Sequence, residues 1–177
     1  RAVGYDPAAH RRFILDYYTG NWDDSPARGQ AFGRNEKTGD ARISGSLASL
    51  VGLEAALDAG DEAAVQGSID QILLLHSLIM SFGGIPLLYY GDELGTLNNY
   101  EYGSDPAKAH DNRWLHRPVY DWEKAELRHQ RGSVEERIFN GLKQLIAVRK
   151  SLPALADFNN RELIDVGNPH LFVFTRS

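Results

Sequence analysis

Cysteine is absent from all 177 residues. Disulfide scaffolds, cysteine-ligated zinc, iron–sulfur clusters and thiol nucleophiles are therefore excluded. The compartment stays open, because a cysteine-free chain suits cytosol and export alike. An excess of positive charge is also absent. Lys and Arg total 19 against 24 Asp and Glu, a net charge of −5, so the basic footprint that marks nucleic-acid binders is not there. Residues 1–20 contain no apolar stretch of the secretory type, being interrupted by Asp6, His10, Arg11, Arg12 and Asp16. That slightly favours the cytoplasm. Residues 71–91 carry no Asp, Glu, Lys or Arg, but Gly83-Gly84 and Pro86 interrupt them and His76, Ser77 and Ser81 precede the break. They read as a buried helix, a glycine break and a buried strand, and no membrane partner is expected.

What remains is the composition of a globular chain, 42% hydrophobic and 24% charged. Residues 8–18 suit a helix, with Phe13, Ile14 and Tyr17 on one face. Residues 20–26 and 35–40 carry loop chemistry. Residues 44–59 read as one short helix ended by Gly60, and Asp61 as the N-cap of a longer one reaching about Phe82. Val65, Ile69, Ile72, Leu73, Ile79 and Phe82 follow helical spacing there. Leu74, Leu75 and Leu78 extend the apolar surface, so most of the later circumference is expected to be buried.

Gly83-Gly84 stops that helix. Residues 85–90 form a continuous apolar run, the mark of a strand covered on both faces. The aromatic segment 91–132 is far longer than an ordinary connection of about 4–6 residues. Ser133 and Glu136 make a capping box for a helix with Val134, Ile138, Leu142, Leu145 and Ile146 in register, ending near Ser151 before Pro153. Residues 162–166 and 170–175 flank Gly167-Asn168-Pro169 as a hairpin. The order helix, strand, long loop, helix, hairpin is that of the last unit of a repeated β/α architecture followed by the start of a β domain.

Five motifs carry a resemblance: Gly84-Ile85-Pro86-Leu87-Leu88-Tyr89-Tyr90-Gly91-Asp92-Glu93, Gly39-Asp40-Ala41-Arg42-Ile43-Ser44-Gly45, Gly95-Thr96-Leu97-Asn98, Asp111-Asn112-Arg113-Trp114-Leu115-His116-Arg117-Pro118 and Ile146-Ala147-Val148-Arg149. The first resembles the eighth-strand signature of the α-amylase superfamily. In this order the set resembles amylosucrases and the related sucrose hydrolases, from about Gly4 to the C-terminus. The fold the resemblance implies is α/β: the C-terminal segment of a (β/α)8 TIM barrel, from after strand 7 through helix 8, plus the first strands of a C-terminal β domain. Such a segment cannot close a barrel alone. Residues 1–60 would be a loop and helical insertion, 61–152 the last barrel units and 153–177 the start of the β domain.

The activity implied is that of a retaining glucosyltransferase, which cleaves sucrose, holds glucose on an aspartate, releases fructose and passes glucose to an α-1,4-glucan. A sucrose hydrolase would give the glucosyl unit to water, and a carbohydrate-binding or assembly module without catalysis is the reading from a different class. The family's nucleophile, acid/base and third carboxylate belong to earlier strands, so none is assigned in this chain, and the remainder of the polypeptide would be its partner. No cofactor and no metal are implied. Arg113 matches the arginine that closes the glucosyl pocket by pairing with an aspartate from elsewhere. Arg42 matches one on the acceptor side, and Arg11 matches an outer acceptor arginine, although the inserted Pro7-Ala8-Ala9 leaves Arg12 as an alternative. Pro26 stands where the family tends to have an aromatic. Trp114, Trp22, Tyr100 and Tyr102 offer flat faces for sugar rings. Asp92 and Glu93 are placed as ligand-binding or supporting carboxylates at a strand end, and His76 as a satisfied core histidine.

Overall fold

The computed structural model describes residues 6–177; the start of the resemblance, near Gly4, lies outside them. About half of the chain is helical, and the only sheets among the described residues are two antiparallel pairs. The elements are α1 (Pro7–Tyr18), β1 (Gln30–Phe32), β2 (Arg42–Ser44), α2 (Leu47–Leu50), α3 (Leu53–Ala59), α4 (Glu62–Phe82), α5 (Trp122–Glu126), α6 (Val134–Ser151), β3 (Arg161–Ile164) and β4 (Val173–Arg176).

The barrel-segment expectation is therefore overturned. No parallel sheet is present among the described residues, and residues 85–90 join no ladder. The physical reason lies in the neighbours. A buried strand needs hydrogen-bonding strands on its edges and helices on its faces, and here only one side is covered. Pro86 and Leu88 turn toward the end of α6 and the turn Pro153–Leu155 across an apolar cavity of about 470 Å³. Ile85 and Leu87 point the other way, 83% and 80% exposed. The alternation is that of a strand, without its partners.

The centre of the molecule is helical. α4 packs against α3 on one side and α6 on the other, around Leu53, Ala56, Val65, Ile69, Ile72, Ile138 and Leu142. Gly141 makes the α4–α6 contact close: a Cβ there would meet the Leu73 side chain at 2.6 Å. Asp61 caps α4, its Oδ1 accepting from the Ala64 N–H at 3.0 Å. Ser133 caps α6 through the Glu136 N–H, as the capping box predicts, but the Glu136 carboxylate reaches back to the N–H of Gly132. Arg149 donates to the Met80 and Gly84 carbonyls. It thereby satisfies open carbonyls at the C-terminal end of α4.

Three further expectations change. In α1 the buried residue is Leu15, and Phe13 stays exposed. The single helix expected over 44–59 is two, with Ser44 in β2. Gly52 breaks it at φ 94°, a left-handed conformation, and a Cβ there would strike Pro26 at 2.8 Å. The later circumference of α4 is not mostly buried. His76 and Met80 face inward, while Leu74, Leu75, Leu78 and Ile79 lie on the surface. By length and composition α4 could cross a membrane, yet one face of it is the core of this fold. The C-terminal hairpin is present, β3 pairing with β4 from Arg161↔Arg176 to Ile164↔Val173.

Candidate functional site

The segment 91–121 is ordered by short turns, two of which drop one apolar side chain inward and leave polar ones outward. Leu94 and Leu115 are the buried anchors, 1% and 0% exposed. Asp111 caps the turn Asn112–His116 by accepting from the Arg113 N–H at 3.0 Å. The same carboxylate takes the Arg113 guanidinium side-on, Nε at 2.8 Å and Nη2 at 2.6 Å. These bonds hold the Asp111 carboxyl down at about 2 and raise Arg113 above its ordinary value. Arg113 is thus paired by a carboxylate of its own turn, whereas the resemblance implies an aspartate from elsewhere in the polypeptide.

A hairpin lies beneath that turn. In β1 and β2, Phe32 is directly opposite Arg42, so both side chains share one face. The Arg113 guanidinium lies 5.0 Å above the Phe32 ring. Phe32 therefore joins Arg113 to Arg42. Arg11, from α1, reaches the same segment by a 3.2 Å ion pair with Asp40, two residues before Arg42. Trp114 faces the opposite direction from Leu115 and carries Lys108 5.4 Å above its ring. Trp22 is held edge-on by Phe13, and Tyr102 donates to the Gln30 side chain at 2.7 Å.

Asn98 locks these pieces together. Its Oδ1 accepts from the Ser46 N–H at 2.8 Å, its Nδ2 donates to the Arg28 carbonyl at 2.6 Å, and its own N–H donates to Ser49 Oγ at 3.0 Å. Ser49 in turn donates to the buried Glu54, which also receives Arg28. Asn112 adds a bond to the Ala31 carbonyl at 2.8 Å and lies 3.4 Å from the Ser44 hydroxyl. The Asn99 N–H donates to the Leu115 carbonyl at 2.7 Å, so that segments 28–49, 98–99 and 112–115, far apart in sequence, are hydrogen-bonded into one surface.

No protein-family model matches the chain.

Asp92 and Glu93, although adjacent, have different partners. Glu93 accepts from the Gly91 N–H at 2.7 Å and from the Tyr120 hydroxyl at 2.8 Å. Both its oxygens brace the turn. Burial, and then this bond, push Tyr120 up to about 12. Asp92 lies 4.0 Å from Nε2 of His76. The Nδ1 of His76 is 2.8 Å from the Ile72 carbonyl, which can only accept, so Nδ1 carries the proton and Nε2 faces the carboxyl. Burial outweighs the nearby His76 and raises Asp92 to about 6.

Asp92 opens on a cavity of about 330 Å³, walled by Ser46, Leu47, Tyr89, Thr96 and His116. The Nδ1 of His116 is buried and has no hydrogen-bond partner among the described residues. Across the same wall, Arg117 and Val119 line a second hollow of about 320 Å³ with Trp114 and Lys108. Among the described residues, no cluster of three His, Asp or Glu is placed to hold a metal ion. Sequence reasoning missed Phe32, Asn98, His116 and Tyr120. Asn98 and His116 lay inside quoted motifs, and only the fold shows what they face.

Proposed function

We propose that this chain is the donor-pocket and acceptor-side part of a retaining glucosyltransferase that cleaves sucrose and passes glucose to an α-1,4-glucan. The observation that carries the reading is the convergence of the motif segments. Arg113, Arg42 and Arg11, assigned by resemblance to adjoining parts of one sugar site, are joined through Phe32 and Asp40. The nucleophile and acid/base come from the remainder of the polypeptide. Arg113 holds sugar hydroxyls or a carboxylate with the edge of its planar fork that Asp111 leaves open.

Because Arg113 is half exposed, its loss strands no buried charge. What disappears is a charged hydrogen-bond donor, and the expected loss is roughly ten- to a hundredfold in rate. The test is fructose release from sucrose by the polypeptide that includes the catalytic carboxylates. Arg113→Ala is expected to lower it by about that factor, and the 177 residues alone release none. Turnover by the isolated chain, or an unchanged rate in Arg113→Ala, overturns the reading. Arg42→Ala shifts product between free glucose and glucan more than it slows sucrose consumption, and this separates the transferase from the sucrose hydrolase.

One observation favours a second reading, a carbohydrate-binding module without catalysis: Arg113 is already paired by Asp111 inside its own loop. Under that reading the isolated chain binds malto-oligosaccharides with full affinity, and adding the upstream polypeptide leaves binding unchanged.

A further inference from the structure

Two things have to be fixed before the Arg113 guanidinium can meet a ligand: the direction of its fork, and the place of its turn on the β1–β2 hairpin. Asp111 settles the first. Its carboxylate accepts from the Arg113 N–H at 3.0 Å and from Nε at 2.8 Å. Both bonds lie inside the turn, so neither determines where the turn sits. The Phe32 ring, 5.0 Å from the guanidinium, does belong to the hairpin. A cation over a ring at an exposed site is a weak attachment, however, and leaves the turn free to slide.

Among the described residues, the polar contacts between this turn and the hairpin both come from Asn112. Its Nδ2 donates to the Ala31 carbonyl of β1 at 2.8 Å, and its Oδ1 lies 3.4 Å from the hydroxyl of Ser44 in β2. An amide suits both partners, because a carbonyl only accepts and a hydroxyl can donate. One side chain thus spans both strands. Its contacts fall beside the residues they would place: Asn112 precedes Arg113, Ala31 precedes Phe32, and Ser44, buried in the fold, shares a strand face with Arg42 two residues before it.

We propose that Asn112 is the positioning residue of this surface: its amide seats Arg113 over Phe32, and so fixes Arg113 relative to Arg42, while Asp111 sets only the direction of the fork. What Arg113 then acts on rests on the glucosyltransferase reading; the seating does not.

The first readout is the Arg113 Nε–H resonance of the isotope-labelled chain. An aromatic ring beneath the guanidinium displaces it, and Phe32→Leu gives its position without the ring. In Asn112→Ala the resonance is expected at the Phe32→Leu position, while the methyl signals of the core residues Leu53 and Ile138 stay where they are in the parent. Ser44→Ala removes only the second contact and moves the resonance part of the way; it serves the same purpose if Asn112→Ala does not fold. The second readout is fructose release from sucrose by the polypeptide that includes the catalytic carboxylates. Asn112→Ala lowers it about tenfold, the worth of roughly one hydrogen bond. With Arg113→Ala already present the further loss is less than about twofold, because residues that act as a unit are not additive. An Arg113 resonance that keeps its parent position in Asn112→Ala overturns the proposal, as does an equal loss of rate in both backgrounds, the mark of a purely structural role. An unchanged rate in Arg113→Ala overturns the glucosyltransferase reading alone, and the resonance then decides the seating, so the two failures are distinguishable.

Discussion

The outer face of α4 changes character half-way along. In its first half that face carries Gln66, Asp70 and Gln71, and Gln66 donates to Asp70 at 2.6 Å. In its second half it carries Leu74, Leu75 and Leu78, of which Leu74 is 66% exposed. The inner face is uniform: Val65, Ile69, Ile72, His76 and Met80 are all buried. Apolar residues at helical spacing thus meet two fates within one element. Where α3 and α6 stand opposite they form the core; where nothing among the described residues stands opposite they remain in water. Residues 85–90 repeat the contrast, with Pro86 and Leu88 turned inward and Ile85 and Leu87 exposed. Periodicity reports which side chains share a face, and only a partner decides whether that face is buried.

The comparison breaks first at Ile69. It is 1% exposed, with its neighbours fixed on both sides. Ile69→Ala removes buried methyl groups and leaves a cavity that two packed helices cannot close, at a cost of about 2–5 kcal/mol. Urea unfolding measures it. A loss under about 1 kcal/mol would mean that the α3–α4–α6 core is looser than its burial implies.

What the sequence disclosed follows the same division. Asp61, Ser133, Gly83 and Pro153 set helix ends through backbone chemistry within a few residues of themselves, and those ends stand where they were expected. Long-range facts were hidden. Gly52 interrupts a helical pattern because Pro26 fills the space a Cβ would need. The β1–β2 pair has too few residues for alternation to register, so the Phe32 bridge between Arg42 and Arg113 could not be read. The apolar run 85–90 read as a buried strand because composition records hydrophobicity and not whether a ladder exists. In the site, the motif segments that carry Arg113, Arg42 and Arg11 lie near one another, but the closeness of His76 to Asp92 depends on where a distant helix lies.

Asp92 sits at the seam between the two regions and sharpens the comparison through pH. Its carboxyl moves from 3.8 to about 6 on folding. Between those values the folded state binds more protons than the unfolded one, so stability falls as pH rises from about 4 to about 6. Above that the penalty is complete, about 2 kcal/mol after allowing for the part of the group that water still reaches. Asp92→Asn removes it. The variant is expected to match the parent near pH 4 and to exceed it by about 2 kcal/mol at pH 7. The facing groups are His76 from α4, His116 across the cavity and Glu93 beside it. Equal stability at pH 7 would mean that attraction to His76 cancels the effect of burial.

The smallest effect is expected at Leu74. Most of this side chain is already in water, so replacing it forfeits little burial, and lysine is nearly as good a helix former as leucine. In Leu74→Lys the new ammonium would stand one turn after Asp70, with the acidic residue on the N-terminal side, the better orientation for an i,i+4 pair and worth about 0.2–0.5 kcal/mol. Stability should therefore stay level or rise by that amount, in contrast to Ile69→Ala five positions earlier on the same helix. The substitution also divides a run of exposed apolar side chains, and such surfaces promote association. Sedimentation of the variant over a range of concentrations should show less self-association than the parent. A loss of more than about 1 kcal/mol that grows with protein concentration would show that another molecule covers this face in solution, and that the second half of α4 is core after all.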